Sequence, residues 1–183
     1  MKTFLISDLH LGHNGVYHFT HQNTGQRLRP WADNADDGDR ILKERWNSVV
    51  GRHDRVYVLG DVAIARRGIA KLAEFNGRKI LIKGNHDIFK LHDYSPYFDD
   101  IRGSHKLDNF ILSHIPIHTE SLARWANGNI HGHLHSNRVM KRTWYGKQVE
   151  DKRYINVSVE QLNGYPIEFE VIRKRIEIEK RFK

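Results

Sequence analysis

Three features of the chain predict an α/β fold: short apolar runs that alternate with helix-periodic stretches, polar residues waiting at the end of each run, and a length of 183 residues. A chain of that size buries a core without covalent staples, so one domain over residues 1–183 is expected. There is no cysteine. Disulfides and thiolate zinc sites are therefore excluded, and any metal must be held by histidine, carboxylate or amide oxygen.

Residues 2–7 form a compact apolar run that stops at Asp8, and residues 55–59 stop in the same way at Gly60-Asp61. Both read as buried strands. A third run, residues 79–83, ends at Gly84-Asn85, and a fourth, residues 110–112, ends at Ser113-His114. Between the first two runs, residues 38–50 place Ile41, Leu42, Trp46 and Val49 at helical spacing, with Asp36, Asp37 and Asp39 at the end where carboxylates complement the helix dipole. Ile69, Leu72, Ala73 and Phe75 predict a second helix, closed by Asn76-Gly77. In such alternating sheets, ligands collect beyond the carboxyl ends of the strands.

Residues 14–39, rich in Gly and Asn, predict a long surface loop near that crevice. From Arg138 onward the texture turns β-branched and aromatic, and residues 143–147 and 154–159 are expected to be strands of a second sheet. The segment from Phe169 is read as a strand turning into a helix. Residues 3–6 are too few for a signal sequence or a membrane span, so a cytoplasmic protein with no membrane partner is expected.

The chemistry sits in five short segments. Asp8 and His10 are two apart beyond a strand end and can grip one cation; Asp61 follows a glycine and carries two oxygens able to bridge two ions. Asn85 offers an uncharged oxygen, His86 an imidazole and Asp87 a carboxylate able to orient it. His114, and then His133 and His135, complete the set.

In order, these segments read D-x-H, G-D, G-N-H-D, H and G-H-x-H. The pattern resembles the calcineurin-like metallophosphoesterases over about residues 1–136, and within them the small, uncapped bacterial and phage-type phosphoesterases. The resemblance implies a four-layer α/β sandwich with two mixed sheets flanked by helices. It also implies two divalent ions, one held by Asp8, His10, Asp61 and His135, the other by Asp61, Asn85, His114 and His133, with Asp61 bridging. His86 would face the substrate and Asp87 would support it. Manganese is the family-level expectation, although the same donors suit Fe, Zn, Ni or Co.

Two such ions can activate a water against phosphorus and neutralise phosphoryl charge, and an imidazole at His86 can protonate the departing alkoxide. The expected activity is hydrolysis of a phosphodiester or phosphomonoester in a phosphorylated small molecule or nucleotide. Lysine and arginine exceed acids by 30 to 22, a formal +8, which admits nucleic acid as a partner and a nuclease as the rival activity. Against a nuclease stands the lack of an appended DNA-capping or dimerisation segment. A non-catalytic binding protein on the same fold is the other rival, weakened because every ligand type is present. Among remaining residues, His13 and His118 divide between site and surface roles, His131 reads as structural, and Lys83, Arg124 and Arg138 are cations near the motifs.

Overall fold

The computed structural model describes residues 1–21, 24–125 and 127–181. Its strands are β1 (Thr3–Ile6), β2 (Arg55–Val58), β3 (Arg78–Ile82), β4 (Asp100–Arg102), β5 (Ser104–Leu107), β6 (Phe110–Ser113), β7 (Gly128–His131), β8 (Met140–Arg142), β9 (Gln148–Glu150), β10 (Tyr154–Asn156) and β11 (Ile167–Glu168). Its α-helices are α1 (Ala35–Val49), α2 (Arg66–Ala70), α3 (Leu91–Tyr94) and α4 (Phe169–Arg181). The first sheet has the order β11-β1-β2-β3-β4 and the second β10-β7-β6-β5. Both are mixed: β1 to β4 are parallel with β11 antiparallel, and β10, β7 and β6 are parallel with β5 antiparallel.

The apolar runs are continuous because the first sheet is covered on both faces. Phe4, Ile6, Val56, Val58 and Leu81 join Leu42 and Trp46 of α1 and Ile69 of α2 in one core. Leu5, Tyr57, Leu59 and Ile82 point the other way, into a second core with Phe110, Leu112 and Ile130 of the facing sheet and Phe169 and Ile172 of α4. The outer face of the second sheet has a thin cover, a 3-10 helix at Thr119–Arg124 entered through Ile117, whose amide donates to Asn129 and whose carbonyl accepts from the Tyr154 hydroxyl.

Helix α1 starts earlier than its apolar spacing suggests, because Asn34 caps it by accepting from the Asp37 amide at 2.9 Å. Expected as a single helix closed by Asn76-Gly77, the second helical stretch is short α2 running into a 3-10 turn, Lys71–Glu74, before Gly77 turns the chain at φ +87°. The strand-to-helix reading holds in type but not in place: the strand β11 is confined to Ile167–Glu168, and from Phe169 onward the segment is helix α4.

Two expectations are corrected. Residues 14–39 are not a surface loop throughout: the segment holds a 3-10 helix at Asn14–Tyr17 and the start of α1, and Val16, Tyr17, Arg29, Ala32 and Ala35 are buried. Residues 143–147 are not a strand but the turn between β8 and β9, closed by the Thr143 amide donating to the Lys147 carbonyl at 2.8 Å with Gly146 at φ +86°. Aromatic β-propensity was outweighed there by a glycine that takes the left-handed conformation. β8 and β9 pair only with each other, apart from the second sheet.

Candidate metal centre

The candidate ligands leave the carboxyl ends of β1, β2, β3, β6 and β7 on tight loops. Asp8, His10, Asp61, His133 and His135 all lie in the left-handed region, at φ 60°, 50°, 54°, 66° and 49°. That conformation is uncommon for residues with a side chain, and outside this site only Asp108 and Asn163 adopt it among the described residues. Backbone strain is thus concentrated where the motifs meet. The loops also approach each other closely: a Cβ on Gly60, itself at φ +88°, would lie 2.6 Å from His114 Nδ1 and 2.7 Å from the Gly84 main chain.

Two groups of donors form. Asp8, His10 and His135 offer ligand atoms within 4.8 Å of one another, and so do Asp61, His114 and His133. Asp61 lies between the groups, with Oδ2 3.7 Å from His10 Nε2 and 3.4 Å from His114 Nε2. Asn85 joins the second group through Oδ1, 2.9 Å from His114 Nε2. The His114 imidazole is held from behind. His114 Nδ1 donates to the Leu59 carbonyl at 2.7 Å, which turns the Nε2 lone pair toward Asp61 and Asn85. The amide of His133 donates to Asp8 Oδ2 at 2.9 Å.

The donor set fits a cation. Both ring nitrogens of His10 are buried and without a hydrogen-bond partner, which a folded protein rarely tolerates unless something completes the shell. Burial, aided by the Arg29 guanidinium, lowers the His10 pKa to about 3, so the ring is neutral and free to ligate. Burial pushes the Asp61 carboxyl up, but the His114 bond and charge and the His86 amide outweigh it and hold Asp61 at about 2. Asp8 is pushed upward by burial.

His86 and Asp87 part company. His86 is exposed, its ring 5.7 Å from that of His10, and its amide donates to Asp61 Oδ1 at 2.9 Å. Asp87 was expected to orient the His86 ring and does not. Its buried carboxylate accepts instead from the amides of Asp61, Val62 and Gly84 at 2.9, 3.0 and 2.8 Å.

Two residues outside the motifs belong to the site. Glu160 Oε1 lies 3.1 Å from His135 Nδ1 and 2.8 Å from Arg29 Nε. Arg29, fully buried, also donates to the carbonyls of Asp8 and Leu9 at 2.6 and 2.9 Å. Glu160 left only a faint trace in the sequence, an acid at the end of an apolar run as with Asp8; Arg29 left none. His13 flanks the site, 6.1 Å from the His10 ring, whereas His131 is buried on β7 with Nδ1 on the Gly132 carbonyl, and His118 caps Thr119–Arg124. Arg138 pairs with Glu150 at 2.7 Å.

The calcineurin-like phosphoesterase family model matches residues 1–174. The chain belongs to the calcineurin-like phosphoesterase family. Membership places it among the metal-dependent phosphoester hydrolases. An uncharacterized protein of Methanocaldococcus jannaschii is 31% identical, the match covering 96% of this chain and 92% of that one. The Gene 66 protein of Mycobacterium phage L5 is 28% identical over 81% of this chain and 84% of its own. The crystal structure of a protein of unknown function from Aquifex aeolicus shares the fold, with TM-score 0.64 at 22% identity over 94% of this chain and 98% of that chain. No helix among the described residues is long and apolar enough to cross a membrane.

Proposed function

We propose that this family member is a dinuclear phosphoesterase that hydrolyses a phosphodiester or phosphomonoester of a small molecule or nucleotide, with His86 as the proton donor to the leaving group. Asp8, His10, Asp61 and His135 would hold one ion, and Asp61, Asn85, His114 and His133 the other. The observation that carries the reading is one carboxylate, Asp61, within 3.7 and 3.4 Å of an imidazole from each donor group. When bound, two divalent ions, Mn²⁺ first among those the donors suit, supply Lewis acidity that activates water and offsets phosphoryl charge.

The chain's own residues do the rest. The amide of His86 is anchored on Asp61 Oδ1 at 2.9 Å, so the loop is fixed relative to the bridge while the exposed imidazole stays free to meet substrate. A proton given there to an alkoxide is worth about 10²- to 10⁴-fold. His13 adds a second imidazole beside the site, its ring 6.1 Å from that of His10.

The test is the dependence of kcat on leaving-group pKa in Mn²⁺-loaded wild type and His86→Gln. The variant should keep near-normal metal content by elemental analysis. It should lose roughly 10²-fold or more on poorly departing alkoxides and less on p-nitrophenolate, which hardly needs protonating. Parallel slopes would reject the proton-donor role.

A further inference from the structure

Outside the metal centre, the least expected surface is the tip of the β8–β9 hairpin. Trp144 is 96% exposed and Tyr145 60% exposed, their rings edge to face at 5.3 Å and 85°. Large aromatic rings held in water on a monomer are costly to solvate and commonly mark a contact surface. The turn itself is well made: Lys147 donates its amide to Thr143 Oγ1 at 3.0 Å, and the Gly146 amide donates to the Thr143 carbonyl at 3.0 Å. The rings are therefore displayed by an ordered turn.

Charge surrounds them with one sign. Lys141, Arg142 and Lys147 flank the tip, and the nearby acids are already neutralised, Glu150 by Arg138 at 2.7 Å and Asp151 by Arg153 at 2.5 Å. Arg142 and Lys147 pair with no carboxylate among the described residues. The hairpin follows a ligand loop along the chain: Asn156 of β10 holds that loop by donating to the carbonyls of His135 and Asn137 at 2.9 and 3.0 Å, and the Asp151 amide closes the hairpin's base on the Val139 carbonyl at 2.8 Å. Trp144 is nine residues on from His135, so the two lie within about 30 Å of each other.

We propose that this hairpin is a binding platform for single-stranded nucleic acid, bases stacking on Trp144 and Tyr145 and phosphates meeting Arg142 and Lys147. Every base has a π face, so stacking is tolerant of sequence, and unpaired guanidinium and ammonium groups supply the complementary charge. A chain with a formal +8 charge reinforces that attraction at long range.

Fluorescence anisotropy of a labelled single-stranded oligonucleotide, with the full chain in chelator so that no hydrolysis intervenes, tests the platform independently of the catalytic reading. Trp144→Ala/Tyr145→Ala should weaken binding about tenfold or more. Arg142→Ala/Lys147→Ala, which keeps both rings, should flatten the slope of log affinity against log salt by about 1.4, at roughly 0.7 per phosphate contact. Neither variant should change hydrolysis of bis(p-nitrophenyl) phosphate. The proposal is overturned by wild type that does not bind at low salt, or by unchanged binding in both variants. It is equally overturned if the aromatic variant loses binding to anionic phospholipid vesicles, or loses a concentration-dependent dimer in sedimentation, while oligonucleotide binding persists.

Discussion

Both oxygens of Asp87 are occupied by main-chain donors, the amides of Asp61, Val62 and Gly84, at 2.8 to 3.0 Å. A carboxylate that splints two ligand loops acts on the metal centre through the backbone, and its loss leaves two buried amides and one half-buried amide without this acceptor. Each such orphan costs about 1–3 kcal/mol. Asp87→Ala should therefore lower the melting temperature in chelator by several degrees, with loss of metal content, while the leaving-group dependence of any residual turnover stays that of wild type. Asp87→Asn, which keeps one accepting oxygen, should melt between the two. A leaving-group slope altered as in His86→Gln would instead return Asp87 to the role of orienting the imidazole. Gly84 makes a related point: an added Cβ would lie 2.6 Å from the Asp61 amide and closer still to its Oδ1. Gly84→Ala is expected to reduce bound metal more than it reduces stability, measured by elemental analysis beside a thermal melt.

At the scale of elements, the pair Arg29–Glu160 joins segments 131 residues apart and ties both to the β1 loop and to His135. Both side chains are almost wholly buried, at 0% and 2% exposure. Burial pushes the Glu160 carboxyl up, but the charge of Arg29 and the bond to His135 bring it from an ordinary 4.5 down to about 2. A depressed carboxyl contributes stability that is complete above pH 4.5 and disappears as pH falls through about 2, because the unfolded chain takes up the proton first. Glu160→Gln strands a buried guanidinium and should cost about 3–5 kcal/mol by denaturant titration at neutral pH. Acid unfolding between those two pH values should then be shallower than in wild type. The double replacement Arg29→Leu/Glu160→Leu should cost less than either single loss of charge, and a cycle without that coupling would dissolve the pair as a structural unit.

The same pair explains what the sequence hid. β1, β2 and β3 are legible because each is an apolar run bounded by a polar residue, and the motifs follow from where those runs stop; β4, Asp-Ile-Arg at the sheet edge, carries no such run. Residues 14–39 read as surface because nothing local marks Arg29 for burial; its reason lies in Glu160 and in two carbonyls of another loop. Residues 143–147 read as a strand because Thr, Trp and Tyr favour that conformation, yet the register of β8 and β9 leaves them to turn, Met140 opposite Glu150 and Arg142 opposite Gln148. The motif puts Asp87 beside the ligand loops but does not settle its contacts, since spacing cannot tell a side chain that faces its neighbour from one that faces the next loop.

At the scale of the molecule, two apolar cores flank the first sheet, one beneath α1 and α2 and one between the sheets, and neither includes a candidate ligand. The fold should consequently survive without metal, and the strained ligand loops at its rim should be what ions stabilise. Chelated protein is expected to keep its far-ultraviolet circular dichroism and lose hydrolysis. Mn²⁺ should restore hydrolysis and raise the melting temperature in proportion to the logarithm of its concentration, by about 2.7 kcal/mol of stability at a hundredfold excess over Kd. Asp61→Asn separates a bridge from two independent sites: an amide offers one neutral oxygen where the carboxylate offers two charged ones, so metal stoichiometry should fall below two and the Mn²⁺-dependent rise in melting temperature should shrink. Two ions still tightly bound in that variant would remove Asp61 from the bridging position. Undiminished turnover in wild type stripped of metal, verified by elemental analysis, would remove metals from the reaction altogether.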